Sequence, residues 1–311
     1  MLSPLIHALV IVFLLFHVVV VDGDSSASPI EDASSEPVVC DLGPLYDVRA
    51  YYINLDSRPD RSQSMVERLT RHGLPYTRIR ARTPQDLDGD VAYWAHRMRE
   101  APSSDPRIAA VILSHYETVM MARGHVRAHR FMRQLDDDPK VRSVRRLTLI
   151  LEDDIRLAPD FCASLRERLD NLPPPDRWSV LKLTSIHSSW DGAYWAGYRD
   201  PELENLYRLG AGQMSWEMSA YLVSESGLDA LVGAFERALI GRSFYTDDVP
   251  PEVALRTLEA ATDYDGGVWT SYPYLAVQPD EDSDVQDEDH LAWRRDFRQN
   301  HGGGAYLDEY E

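Results

Sequence analysis

An acidic triplet that directly follows an apolar run is the strongest chemical feature of the sequence. Residues 144–151 have the composition of a buried strand and run straight into Glu152, Asp153 and Asp154. Side chains alternate along an extended segment, so Glu152 and Asp154 can point to one side and offer two oxygen ligands to Mn²⁺ or Mg²⁺. A solvated acidic turn after a strand is the alternative interpretation. The triplet therefore predicts either a divalent-metal site or an exposed turn.

Residues 48–81 predict the elements that would position this triplet. Residues 48–55 and 75–81 have the composition of strands. Between them Ser57 and Asp60 resemble a capping box, Pro59 suits the first helical turn, and Gly73 is placed to end the helix. A strand, a helix and a strand in about 35 residues form the βαβ unit of an α/β fold. Ligands in such folds bind beyond the carboxyl ends of the strands, where the triplet lies.

Further elements are predicted along most of the remaining chain. Helices are expected at 107–122, 160–172, 225–239 and 252–262, and strands at 178–184 and 219–223. Aromatic residues among Gly, Ser and Asp at 185–215 indicate a long loop or a small insertion. The sequence therefore predicts one α/β domain.

The composition excludes several classes of protein. Lys and Arg number 32 against 51 Asp and Glu, and the formal net charge of -19 gives no basic surface for nucleic-acid phosphates. A hydrophobic content of 44% is enough for a folded core and excludes a disordered chain. Cys40 and Cys162 can form at most one disulfide, and the sequence leaves open whether they pair.

The amino terminus predicts targeting to the secretory pathway. Residues 2–21 are apolar with few exceptions, and Asp22 ends the run. The apolar core from Ala8 to Val21 is short for a membrane span of about 20 residues, so residues 1–23 are predicted as a cleaved signal peptide. An uncleaved signal-anchor, which would add a membrane partner, is the alternative. Both place the rest of the chain in the lumen of the endoplasmic reticulum or Golgi, or outside the cell.

Composition divides the chain after this segment into three parts. Residues 24–45 are rich in Ser, Pro and acidic residues and are predicted to be a disordered stem. Residues 46–277 are predicted to be the folded domain. Residues 278–311, which contain the acidic run Asp280–Asp289, are predicted to be a solvated acidic tail.

Four blocks of the sequence resemble, in order and spacing, those of glycosyltransferase family 25. The blocks are YYINLDSRPDRSQSMVERL (51–69), ILSHYETV (112–119), LILEDDI (149–155) and SAYLVSESGLDAL (219–231). The family includes lipooligosaccharide and procollagen hydroxylysine galactosyltransferases. The resemblance implies a GT-A-like nucleotide-sugar-binding fold, a single Rossmann-like domain with a mixed sheet. It also implies a UDP-sugar donor and a divalent cation at a DxD-like motif. It thereby favours the metal interpretation of the triplet, with Glu152 and Asp154 as ligands and Asp153 at the donor.

The resemblance also implies a donor site made from the first two blocks. Asn54, Arg58 and Arg61 match the first block, and a helix N-terminus with two guanidinium groups suits a diphosphate. Solvation at the surface is the alternative for the arginines. Ser114 and His115 match the Ser-His pair of the family and are assigned to shaping the donor site. A histidine on an apolar helix is more often a hydrogen-bonded core residue.

Transfer with inversion at the anomeric carbon needs a carboxylate base for the acceptor hydroxyl. Asp248 is the first candidate, because the pair Asp247-Asp248 precedes a predicted helix in the region where the resembling enzymes place acidic residues. Asp247 is assigned as a further metal ligand, and Glu217 is the alternative base. A helix-capping Asp pair and a solvated Glu are the structural alternatives.

Together these assignments predict a metal-dependent inverting hexosyltransferase with a UDP-sugar donor. The donor sugar is galactose, or glucose as the second choice, and the acceptor is a hydroxyl of a glycan or of a hydroxylated protein. The alternative is a catalytically silent member of the same fold that binds a sugar nucleotide or a partner protein.

Overall fold

The computed structural model describes residues within one compact unit, Pro37–Glu311. The described ranges are 39–87, 106–136, 138–184, 186–187, 206–209, 215–216, 218–240, 267–271 and 274–279. The predicted targeting segment, the helix at 252–262 and nearly all of the acidic tail lie outside these ranges and stay predictions. Among the helices within the ranges, none is long and apolar enough to cross a membrane.

A seven-stranded mixed sheet lies at the centre of the described structure. In order across the sheet its strands are β2 (Tyr76–Arg80), β1 (Tyr46–Asn54), β3 (Arg145–Glu152), β9 (Ala220–Val223), β5 (Trp178–Lys182), β10 (Gly267–Ser271) and β7 (Leu206–Leu209). β9 runs antiparallel to both of its neighbours, β7 runs antiparallel to β10, and the other neighbouring pairs are parallel. The predicted α/β fold with a mixed sheet is confirmed.

Helices cover both faces of the sheet. Side chains of α2 (Pro106–Gln134) and α5 (Glu225–Ile240) pack with one set of buried strand residues. Those of α1 (Pro59–Arg71) and α4 (Phe161–Asn171) pack with the other set. Strands that are buried on both faces read as continuous apolar runs, which is why β1 and β3 stand out in the sequence.

The start of α1 differs from the prediction. The helix begins at Pro59 with Arg58 as its N-cap, and that cap makes no side-chain hydrogen bond. The capping box of Ser57 and Asp60 was therefore wrong, because the cap falls one residue later and Asp60 pairs with the Arg58 guanidinium at 3.1 Å. At the other end Gly73 has a φ of +63°, as a glycine that ends a helix requires.

Several elements were longer than predicted or were missed. α2 continues twelve residues beyond the predicted end at Ala122 to Gln134. β7 lies in the segment predicted as a long loop or a small insertion, and β10 was not predicted. Short elements complete the described structure: a 3₁₀ turn (Pro84–Leu87), α3 (Pro139–Ser143), β4 (Arg156–Leu157) paired with β11 (Ala276–Val277), and β6 (Ile186–His187) paired with β8 (Ser215–Trp216).

A disulfide joins Cys40 to Cys162 in α4, with 5.4 Å between their Cα atoms. The sequence left this pairing open. Leu42, two residues after the first cysteine, is buried in the cluster under α1 and α4. The last residues of the predicted stem are therefore packed on the domain.

Candidate functional site

Polar residues from distant parts of the chain meet at the carboxyl edge of the sheet. β1 ends at Asn54, and β3 ends at Glu152, which Asp153 and Asp154 follow. The pairing of β4 with β11 places Gln278, the residue after β11, against the triplet. This edge is the position at which α/β folds bind ligands.

Asp153 is held by two donors within the protein. Asn54 Nδ2 donates to Asp153 Oδ2 at 2.7 Å, and Arg61 Nη1 lies 3.2 Å from Oδ1. Burial raises the pKa of Asp153, and the hydrogen bonds from Asn54 and Arg61 act in the opposite direction. Both oxygens face protein donors, so Asp153 fixes Arg61 at the start of α1. Its assignment to donor binding stays a prediction.

Asn54 connects the strand edge to the start of α1. Its amide nitrogen also donates to the carbonyl oxygen of Arg58 at 2.9 Å, and its amide oxygen accepts from Arg78 Nε at 2.8 Å. Asn54 is buried, so these bonds are shielded from water. The structure therefore gives Asn54 a positioning role. The Arg58 side chain lies at the start of the helix, is 19% exposed and pairs with the exposed Asp60.

The buried His115 orients Glu152 from the interior side of the site. His115 Nε2 lies 3.1 Å from Glu152 Oε1, and His115 Nδ1 lies 3.0 Å from the Tyr221 hydroxyl. One neutral tautomer satisfies both contacts, because Tyr221 can donate to Nδ1 while the Nε2 proton goes to the carboxylate. Burial, with Glu152 as a second cause, raises the pKa of Tyr221 and keeps its proton in place.

Ser114 and His115 therefore lie in the protein interior, beneath the site. Ser114 Oγ donates to the Ala110 carbonyl at 2.7 Å and accepts from the Arg82 amide at 2.8 Å. Both side chains are buried, His115 with only 1% exposure. Any influence of this pair on the donor must pass through Glu152 or through the chain at Arg82.

Asp154 has the most unusual environment of the triplet. Its side chain is 11% exposed, Oδ2 accepts from Gln278 Nε2 at 2.9 Å, and Arg61 Nη1 is 3.7 Å from Oδ2. Oδ1 is buried and has no hydrogen-bond partner among the described residues. Burial, followed by the nearby charge of Glu152, raises the pKa of Asp154 to about 7. A buried, unpartnered carboxylate oxygen favours a proton or a cation.

The donor set fits a hard divalent cation. Glu152 and Asp154 lie on the same side, because one amide group of Gln278 reaches both of them. Strand alternation is not the reason, since β3 ends at Glu152 and Asp153 and Asp154 form a turn in which Ile155 N donates to the Glu152 carbonyl at 3.4 Å. Carboxylate oxygens are the ligands that Mn²⁺ and Mg²⁺ prefer, and Asp154 Oδ1 has no other partner within the described ranges. No group of three or more His, Cys, Asp and Glu side chains in the described part of the chain could hold a metal. The role of Glu152 and Asp154 as metal ligands stays a prediction.

Three predicted residues lie outside the described ranges. They are Glu217, Asp247 and Asp248, assigned as the alternative base, a further metal ligand and the first candidate for the base. Their assignments stay predictions.

Sequence reasoning missed Gln278, the first residue of the predicted tail. Gln278 is only 5% exposed, and its Oε1 lies 3.5 Å from Ser219 Oγ. A single glutamine before a proline carries no local signal of a site. Its position depends on the pairing of Val277 with Arg156, which joins segments far apart in the sequence.

No protein-family model matches the chain, and no curated protein matches it. A similar solved structure is described as "Crystal structure of a glycosyltransferase involved in the glycosylation of the major capsid of PBCV-1". It is 10% identical with a TM-score of 0.42, over 79% of this chain and 98% of that chain. Values this low support no statement about activity, and the resemblance to glycosyltransferase family 25 stays an expectation from the sequence.

Proposed function

We propose that this protein is a metal-dependent glycosyltransferase that moves a hexose from a UDP-sugar to a hydroxyl group. The observation that carries the proposal is Asp154, a nearly buried carboxylate with an unpartnered oxygen at the carboxyl edge of the sheet. Asp154 is adjacent to Glu152 and Arg61, which adds a second carboxylate and a cationic group at the same edge. This combination suits a divalent cation together with an anionic diphosphate.

Each described residue has a defined task in this proposal. Glu152 and Asp154 would hold Mn²⁺ or Mg²⁺, and the cation would neutralise charge on the departing UDP. His115 holds Glu152 in position through its hydrogen bond. Arg61 and the start of α1 would face the diphosphate, since guanidinium groups and helix N-termini both bind phosphate oxygens.

The transfer itself is a displacement at the anomeric carbon. The acceptor hydroxyl oxygen forms the new bond, the bond to the UDP oxygen breaks, and a carboxylate takes the hydroxyl proton. We assign this base to Asp248, with Glu217 as the alternative. Galactose is the proposed sugar, glucose the second choice, and a glycan or hydroxylated protein the proposed acceptor.

We assign this activity to the lumen of the secretory pathway. The disulfide between Cys40 and Cys162 supports the assignment, because disulfides persist in oxidising compartments and are rare in the cytosol. The apolar segment at residues 2–21 is consistent with entry into that pathway.

The release of UDP from a panel of UDP-sugars tests the proposal. With Mn²⁺ and water as the acceptor, the wild-type chain should hydrolyse one UDP-hexose slowly, and the folded Asp154→Asn variant should lose most of that rate. Asp170→Asn, an exposed acidic residue of α4, is the matched control and should keep the wild-type rate. An undiminished rate in Asp154→Asn would contradict the proposal. UDP binding that depends on Mn²⁺ but never leads to turnover would favour the catalytically silent alternative.

A further inference from the structure

Gln278 donates to both carboxylates that the proposed function assigns to the metal. Its Nε2 lies 2.9 Å from Asp154 Oδ2 and 3.4 Å from Glu152 Oε2. A primary amide has two N–H groups, so both are directed to carboxylate oxygens. The amide oxygen faces Ser219 Oγ at 3.5 Å.

A cation held by the same two oxygens is incompatible with this orientation of Gln278. The two N–H groups are directed at Asp154 Oδ2 and Glu152 Oε2 and would present their partial positive charge to the ion. Rotation about the last side-chain torsion exchanges nitrogen and oxygen, and such sp³–sp² torsions have broad energy minima. The rotated carboxamide would direct Oε1, a neutral oxygen ligand suited to Mn²⁺ and Mg²⁺, toward the ion.

Ser219 can stabilise both orientations of the amide. A hydroxyl has one donor proton and two acceptor lone pairs, so it can donate to Oε1 or accept from Nε2. Its main chain is fixed because Glu152 N donates to the Ser219 carbonyl at 2.8 Å. The main chain of Gln278 follows the pairing of Val277 with Arg156. The rotation therefore requires no change in either backbone.

We propose that Gln278 is a two-orientation ligand of the cation site. Without a cation, its nitrogen holds Glu152 and Asp154 together. With a cation, its oxygen becomes a ligand, and Ser219 accepts the displaced N–H group. This inference rests on the proposed metal-dependent function.

Binding of Mn²⁺ alone, followed by electron paramagnetic resonance of the free ion, tests this role without an activity assay. In the full chain, Gln278→Ala should weaken Mn²⁺ binding by about tenfold or more, as loss of a contact at a metal site does. Gln278→Glu keeps an oxygen at this position and should bind Mn²⁺ at least as tightly as the wild type. Gln63→Ala, on the exposed face of α1, is the matched control and should leave the affinity unchanged.

The outcomes separate this role from the proposed function. Equal or tighter Mn²⁺ binding by Gln278→Ala would overturn the role of Gln278 while the metal site stands, because the amide would then be irrelevant or an obstacle. Loss of binding in a folded Gln278→Glu variant would overturn it as well. An absence of Mn²⁺ binding by the wild-type chain would instead contradict the metal dependence of the proposed function.

Discussion

Three adjacent carboxylates in this protein have three different environments. Asp153 accepts from Asn54 and Arg61, Glu152 is oriented by His115, and Asp154 keeps one buried oxygen without a partner among the described residues. Desolvation penalises an unpartnered carboxylate most strongly, so Asp154 is the member of the triplet that a cation or proton would stabilise most.

The first prediction concerns the pH dependence of folding in the absence of metal. The pKa of Asp154 is raised from 3.8 to about 7 in the folded protein, so the folded state binds this proton more tightly than the unfolded state. The free energy of unfolding should therefore fall as the pH rises from about 4 to about 7, by on the order of 2–4 kcal/mol. Asp154→Asn should remove most of this loss.

Urea unfolding at pH 5 and pH 8 with EDTA measures this effect. Asp170→Asn should keep the wild-type pH dependence, because that side chain is exposed. The same change with pH in the wild type and in Asp154→Asn would show that burial does not perturb this carboxyl.

The second prediction compares two arginines of the first block. Arg61 pairs with the buried Asp153, whereas Arg58 pairs with the exposed Asp60. Arg61→Gln should destabilise the fold by about 1–3 kcal/mol, because it weakens the hydrogen bonding of a buried carboxylate. Arg58→Gln should change stability by less than about 1 kcal/mol. Chemical unfolding at pH 7 distinguishes them, and equal losses would contradict the assigned environments.

At the scale of elements, the start of α5 is closely packed against β5. Gly227 N donates to Ser224 Oγ at 3.0 Å, so Ser224 caps the helix, and the same hydroxyl donates to the Trp178 carbonyl at 2.6 Å. A Cβ on Gly227 would lie 2.1 Å from the Ser179 carbonyl oxygen. No side chain fits at this position without displacement of β5 or α5.

Gly227→Ala should accordingly destabilise the protein by roughly 3 kcal/mol or more, because the clash is with backbone atoms. Gly124→Ala in α2 is the matched control: nothing lies within 4 Å of its added Cβ, and alanine favours a helix by about 1 kcal/mol over glycine. Thermal unfolding of both variants measures the difference. A Gly227→Ala protein as stable as the wild type would contradict the described packing.

Elements with strong local patterns were predictable from the sequence, and elements fixed by distant pairing were not. β1, α1 and β3 carry apolar runs and a helix-ending glycine that determine them locally. β10 depends on its pairing with β5, for example Val268 with Val180, and β7 depends on β10. The same reason applies to the site: the acidic triplet after an apolar run is evident locally, whereas Gln278 reaches it only through the pairing of β4 with β11.

At the scale of the whole molecule, the disulfide constrains a large part of the chain. Cys40 and Cys162 are separated by 122 residues, and the unfolded chain is restricted accordingly. Cys162→Ser should therefore lower the free energy of unfolding by about 2–5 kcal/mol. The Cys40→Ser variant and the double variant should show the same decrease in the free energy of unfolding. Chemical unfolding with and without dithiothreitol checks this, since a reductant should bring the wild type to the level of the variants. A wild type insensitive to the reductant would argue against the bond.

At the scale of the whole molecule, we propose that the acidic triplet binds a nucleotide diphosphate through a cation. Calorimetric titration of UDP into the full chain, with Mn²⁺ or with EDTA, tests this claim most directly. We expect UDP to bind with Mn²⁺, EDTA or Asp154→Asn to weaken binding at least about tenfold, and Asp170→Asn to leave it unchanged. UDP binding of equal strength in EDTA and in the folded Asp154→Asn variant would contradict it.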